Sequence, residues 1–179
     1  VHADVVVDDP RTDPGRLAFA LASPEAAVVV AAALAAPVGG CGHGMAWFLR
    51  RLGVHMLARL IDRPDRPIAD CLSDTIAETA ALHGARCDLS HEATPAASMV
   101  ACRTLGNHFQ YLVLGPGLLT LHHTQSPTTR TTGPATAVGA RPAIAVRATT
   151  GRTPLPTLAT ATLTADTTTT PAATITLTF

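Results

Sequence analysis

Residues 97–114 read ASMVACRTLGNHFQYLVL. The hydrophobic period across this stretch is two, which is the period of a strand. Leu105-Gly106-Asn107 supplies a turn signal, so the stretch predicts a hairpin with strands at 97–103 and 108–114. Immediately upstream the period is helical. Met45, Phe48, Leu52, Met56 and Leu60 recur at three and four and, with Trp47 beside them, predict an amphipathic helix over 45–61. Asp62-Arg63-Pro64-Asp65-Arg66-Pro67 ends it. A second helix is predicted over 68–83, with Ile68, Leu72, Ile76, Ala80 and His83 on its inner face and Gly84 closing it. The short link predicts antiparallel packing of the two helices over an apolar layer.

Working outward, apolar runs at 5–7, 17–21 and 27–30 predict short strands, and Val28-Val29-Val30 favours a buried one. Ala31 to Ala36 is helix-like by propensity alone. Beyond the hairpin, Gly115-Pro116-Gly117 turns the chain into a strand at 118–122. Threonine then occupies 21 of the last 60 positions against 5 of the first 119, so the composition changes. Runs at 143–146, 158–163 and 173–179 predict further strands, because threonine is β-branched; a Thr/Pro-rich stalk is the competing reading. The element order predicts an α+β fold with helices covering a sheet face. The whole chain, 1–179, is expected to form a single domain, with 124–179 its Thr-rich strands and loops.

Composition excludes several functions. All 13 basic residues are arginine, so Schiff-base, P-loop and Ser-Lys chemistry is absent. Thirteen acidic residues balance them, and aromatic residues make up 3%, which argues against nucleic-acid partners. The arginine bias fits GC-rich coding, as in actinobacteria. The longest apolar run, 26–37, is too short to span a bilayer, so no membrane association is expected. An acidic leader (Asp4, Asp8, Asp9, Asp13) predicts a cytoplasmic protein. Cys41, Cys71, Cys87 and Cys102 are then expected to be reduced, and no CxxC pair marks a zinc ribbon.

Three stretches carry a family resemblance: GCGHGMAWFLRRLG (40–53), ALHGARCDLSHEATPAASMVACR (81–103) and YLVLG (111–115). In order and spacing they resemble bacterial, especially actinobacterial, members of the protein phosphatase 2C family of metal-dependent phosphatases. The resemblance runs in order over 15–170 and is strongest in the middle. It implies two packed antiparallel β-sheets flanked by helices, an α-β-β-α sandwich. It also implies two manganese or magnesium ions held by aspartates, activating a water for attack on phosphorus. This chain departs from that pattern at each ligand position. VVVAAALAAP (28–37) puts Ala32 where the resemblance implies the metal-bridging Asp, and Ala33 at its Gly. The early Glu-Asp falls near Arg16-Leu17-Ala18, and YLVLG runs into Pro116-Gly117 instead of a polar pair. The late Asp-Gly falls near Ala165-Asp166, where Asp166 serves only with a one-residue slip. No binuclear centre, no cofactor and no ordinary phosphatase activity are therefore expected.

Other polar residues suggest further chemistry. Cys41 and His43 share a glycine-dense loop and suggest a thiol–imidazole nucleophile pair, against a bland reading of Cys41 as a small buried residue. Cys87-Asp88 and His91-Glu92 form a second cluster that reads as ligands or as turn formers; given the resemblance, their loop can lie near Cys41. A zinc held by His43, His91 and one of His122-His123 is a lesser alternative, since neighbouring strand residues face opposite ways. His55, His83, Arg50-Arg51 and the Asp74/Glu78 pair read as structural or solvated. Three readings follow: an inactive phosphatase-like module binding an unknown protein or small molecule; an enzyme of changed chemistry using Cys41, His43, Asp88 and His91; and a self-assembling, homo-oligomeric protein built on charge-free Thr-rich strands.

Overall fold

The computed structural model describes residues 2–7, 17–33, 41–84, 87–91, 94–106, 108–115, 117–123, 126–132, 148–154, 158–167 and 170–178. Three strands come first: β1 (His2–Val7), β2 (Ala18–Ala22) and β3 (Ala26–Ala32). Helices α1 (Met45–Asp62) and α2 (Ile68–Ala81) follow. Seven strands complete the chain: β4 (Ala97–Leu105), β5 (His108–Leu114), β6 (Gly117–His123), β7 (Ser126–Thr132), β8 (Ala148–Pro154), β9 (Leu158–Thr167) and β10 (Thr170–Thr178). The fold is α+β. The strands form two five-stranded sheets, β2-β3-β4-β5-β8 and β1-β10-β9-β6-β7, with antiparallel pairing throughout.

The expected hairpin is β4–β5. Its register runs from Leu105 opposite His108 to Met99 opposite Leu114, and Gly106 takes the positive φ of 58° that its turn requires. Ala31 and Ala32 extend β3 instead of starting a helix, because pairing with β2 and β4 outweighs alanine's helix propensity. The expected strand at 143–146 lies outside the described residues.

Period two explains the burial of β3, all seven of whose residues are buried. Ala26, Val28, Val30 and Ala32 join Met99, Ala101 and Leu112 in one apolar cluster with the helices. Their alternates, such as Val29 and Val100, are equally buried, and β9 and β10 of the second sheet lie against β3. α1 crosses β2, β3 and β4 and contributes Leu49, Leu52, Met56 and Leu60 to the cluster. α2 packs beside α1 and over β5 and β8. Both described helices thus lie on the first sheet, and none among the described residues lies on the second.

One face assignment changes. Ile76 is exposed, and α2 instead buries Ile68, Cys71, Leu72, Thr75 and Thr79. Thr75 is tolerated there because its hydroxyl bonds back to the helix: Thr75 Oγ1 donates to the Cys71 carbonyl at 2.7 Å.

A buried cation fixes the far end of this layer. Arg103, on the helix-facing side of β4, is 2% exposed. Its guanidinium donates to the carbonyls of Leu60 (3.5 Å), Arg63 (2.8 Å) and Arg66, and its Nε to Gln110 Oε1 at 2.9 Å. These carbonyls belong to the end of α1 and the turn after it, where the helix dipole is negative and carbonyls lack helical partners. Arg103 also sits opposite Ala26, the first residue of β3. α1 therefore runs antiparallel to β3, and its N-terminus lies at the end of the sheet where β3 finishes.

Candidate functional site

That N-terminal end of α1 gathers two sets of residues. The first is the sheet rim. The register sets Ala18 opposite Ala31, Ala31 opposite Ser98, Ala32 opposite Ala97, and Met99 opposite Leu114. The rim is tied together by backbone bonds from Ala32 N–H to the Leu17 carbonyl and from Ala33 N–H to the Ala96 carbonyl, both 2.9 Å. Topology thus brings Leu17-Ala18, Ala32-Ala33 and Leu114-Gly115 to one edge; the family resemblance implies carboxylates near Leu17-Ala18 and at Ala32, and a polar pair just beyond Gly115. The side chains of these residues are aliphatic or absent. Ala32 is 4% exposed and contributes to the apolar cluster. This donor set does not fit a pair of hard divalent ions, which need carboxylate or carbonyl oxygens. Asp166 lies on β9 next to Ala165, whose partner is Gly117, so its backbone reaches the same end. Arg16 and Pro116 lie outside the described residues.

The second set is a cluster of soft donors. Cys41, Gly42 and His43 form the turn before α1, whose N-cap is Gly44 at φ 77°. Cys87 arrives from the other side, just beyond the end of α2. Antiparallel helices bring these two loops together: Cys87 Sγ lies 3.6 Å from Cys41 Sγ and 3.4 Å from His43 Nδ1. The ligand atoms of all three residues lie within 4.8 Å of one another. Cys41 and Cys87 are half-buried and His43 is exposed.

Rings hold the imidazole in place. His43 stacks on Trp47 with centroids 4.2 Å apart and planes 22° apart. His83 meets both edge-on, 5.8 Å from His43 and 5.0 Å from Trp47. His83 is 4% exposed. Its Nδ1 donates to the Thr79 carbonyl at 2.8 Å. Its Nε2 is buried with no hydrogen-bond partner among the described residues.

The four sequence candidates separate here. Cys41 and His43 have ligand atoms within 4.8 Å of each other, and each contacts Cys87. Asp88 is a turn former: its Oδ1 accepts from the Ser90 N–H at 2.9 Å and the Ser90 hydroxyl at 2.6 Å. Those bonds hold the Asp88 carboxyl below the usual carboxylate range. His91 caps the same turn through backbone bonds with Asp88 and Thr94, outside the cluster. Glu92 lies outside the described residues. His83, expected to be structural, is also a neighbour of the site; its signal in the sequence is its place one turn beyond Thr79, at the helix end that meets the start of α1.

Comparisons with known structures agree with this architecture. A structure of a C. elegans sex determining protein matches with a TM-score of 0.57 at 13% identity, covering 93% of this chain and 52% of that one. This chain thus spans about half the length of that protein. A crystal structure of a bacterial serine phosphatase carrying a point mutation matches with a TM-score of 0.53 at 12% identity, over 92% of this chain and 76% of that one. The fold is therefore protein phosphatase 2C-like. No family model matches the sequence, and no curated protein matches it.

Proposed function

We propose that this chain is a phosphatase-like binding module that has given up two-metal hydrolysis. The observation carrying the reading is the aliphatic rim: Leu17-Ala18 and Ala32, where the resemblance implies carboxylates, lie at one sheet edge with Leu114-Gly115 and carry no acidic side chain. A divalent pair bound by waters and one aspartate lacks the charge that anchors it. What remains at this end is a rim of small aliphatic residues and a thiol–imidazole cluster, a donor set better suited to binding than to cleaving a phosphate ester. The balanced charge and scarce aromatic residues make nucleic acid a poor partner. Among the described residues, no helix is long and apolar enough to cross a membrane.

The test is hydrolysis of an aryl phosphate by pure protein in manganese. We expect no rate above the buffer background. Manganese-dependent turnover that a chelator removes would overturn the proposal.

A further inference from the structure

We propose that Cys41, His43 and Cys87 bind one zinc ion, with the fourth coordination position open to solvent. Zinc–sulfur bonds of about 2.3 Å and zinc–nitrogen bonds of about 2.0–2.1 Å, at tetrahedral angles, put two sulfurs roughly 3.8 Å apart and a sulfur and nitrogen roughly 3.6 Å apart. The protein holds the corresponding pairs at 3.6 and 3.4 Å. Two edges of the coordination polyhedron are therefore set to within a few tenths of an ångström by protein atoms alone. Thiolate and imidazole are soft and borderline donors, which select zinc over the hard ions of a carboxylate site. Two thiolates neutralise the charge of the ion. Binding releases both thiol protons to solvent and leaves the imidazole neutral, so affinity rises with pH.

The surroundings support the same reading. α1 begins directly after the loop and has no acidic residue in its first turn, so its positive dipole end favours thiolates nearby. Trp47 and His83 fix the plane of the His43 ring, as outer-shell partners of metal ligands do. His83 Nε2 is buried with no hydrogen-bond partner among the described residues. It belongs to the ring set packed on His43. Exposure of His43 leaves the fourth position reachable from solvent. The result is an open Cys2His site, the arrangement in which zinc retains an exchangeable ligand.

This site uses different residues and a different metal from the carboxylate centre of the family, so it stands or falls separately from the binding-module reading. Cobalt titration of the reduced, chelator-treated full chain tests it. We expect one equivalent of cobalt to produce the intense near-ultraviolet absorption of thiolate-to-cobalt charge transfer, and one equivalent of zinc to abolish it. Zinc should also protect Cys41 and Cys87 from iodoacetamide, read by peptide mass spectrometry. Cys41→Ser and Cys87→Ser should each weaken zinc binding by at least about 100-fold, since loss of an outer-shell partner alone costs about 10–100-fold. Circular dichroism establishes that these variants remain folded. His91→Ala should bind like the parent. Cobalt spectra without thiolate bands, alkylation unaffected by zinc, or loss of binding in His91→Ala would each overturn the assignment. Rapid alkylation of Cys41 or Cys87 that zinc does not slow would overturn it in favour of a nucleophile pair.

Discussion

The two ends of the helix pair are built on opposite principles. At one end, Arg103 reaches from β4 into the α1–α2 turn and donates to the carbonyls of Leu60, Arg63 and Arg66. At the other, the helix has no side-chain cap, glycines make the turn, and two half-buried thiols meet the exposed His43 imidazole. A closed end satisfies its own polar groups; an open end keeps donors for something else. The contrast sets a self-satisfied Arg103 end against a Cys41 end that carries the proposed zinc site, and it can be broken by substitution.

The largest expected effect is at Arg103. Arg103→Met keeps the aliphatic volume and removes every donated hydrogen bond. The buried Leu60 carbonyl and the part-buried Arg66 carbonyl lose this donor at about 1–3 kcal/mol each, the Arg63 carbonyl keeps the Arg66 N–H, and removing a buried charge recovers part of the loss. A net loss of about 3 kcal/mol is expected in urea denaturation. Cobalt binding by the folded variant should stay intact, because the cluster lies at the other end of α1. A neutral result at Arg103 would erase the distinction between the two ends.

The neighbouring residue gives a pH signature. Cys102 is fully buried on the opposite face of β4, and burial pushes its thiol up to about 12 from an ordinary 9.0. The folded protein therefore holds this proton more tightly than the unfolded chain. The contribution is fully present below about pH 9 and is lost as pH rises from there towards about 12, at about 1.4 kcal/mol per pH unit. Cys102→Ala should flatten that part of the stability curve. An unchanged slope would show that this thiol is not sealed in the core.

A smaller change is expected midway along α1. A Cβ on Gly53 would meet Leu21 Cδ1 at 3.1 Å and Val30 Cγ2 at 3.3 Å. Val30 is fully buried in β3 and has nowhere to go, whereas Leu21 is partly exposed and able to shift. Gly53→Ala should recover about 1 kcal/mol of helix propensity and lose slightly more to the crowding, for a net loss below about 1 kcal/mol. Thermal melting checks it, and a clear gain would show that helix and sheet are less closely seated than the distances say.

How much of this was legible follows from range. The hairpin and both helices rest on local periods, so ASMVACRTLGNHFQYLVL and the Met45–Leu60 stripe announced them. The α2 face was misread at Ile76 because the pattern counted side chains by hydrophobicity, while Thr75 and Thr79 bury methyl groups and return their hydroxyls to the backbone or leave them unpaired. Cys41 and His43 were visible as a pair, two residues apart. Cys87 was visible too, but grouped with Asp88 and His91 by proximity in sequence. Choosing Cys87 over His91 requires knowing that His43 and Cys87, 44 residues apart in the chain, meet at one end of an antiparallel pair, which no local pattern encodes. Arg103 was invisible for the same reason: a lone cation in a strand reads as a solvent-facing residue until a helix end is placed above it.

The smallest effect separates these buried devices from surface charge. Glu78 on α2 pairs with Arg59 on α1 and lies 3.6 Å from His55 Nδ1. The hydrogen bond from Arg59 holds the Glu78 carboxyl below its ordinary value, with His55 adding to the effect. A lowered carboxyl contributes stability above its ordinary pKa and loses it as pH falls through the lowered one. The side chain is 45% exposed, however, so water and salt screen the pair. Glu78→Gln should therefore leave the melting temperature at neutral pH nearly unchanged, and any difference from the parent should shrink further in about 1 M salt. A large, salt-resistant loss would mean that this clasp, rather than the Arg103 end, holds α2 to α1.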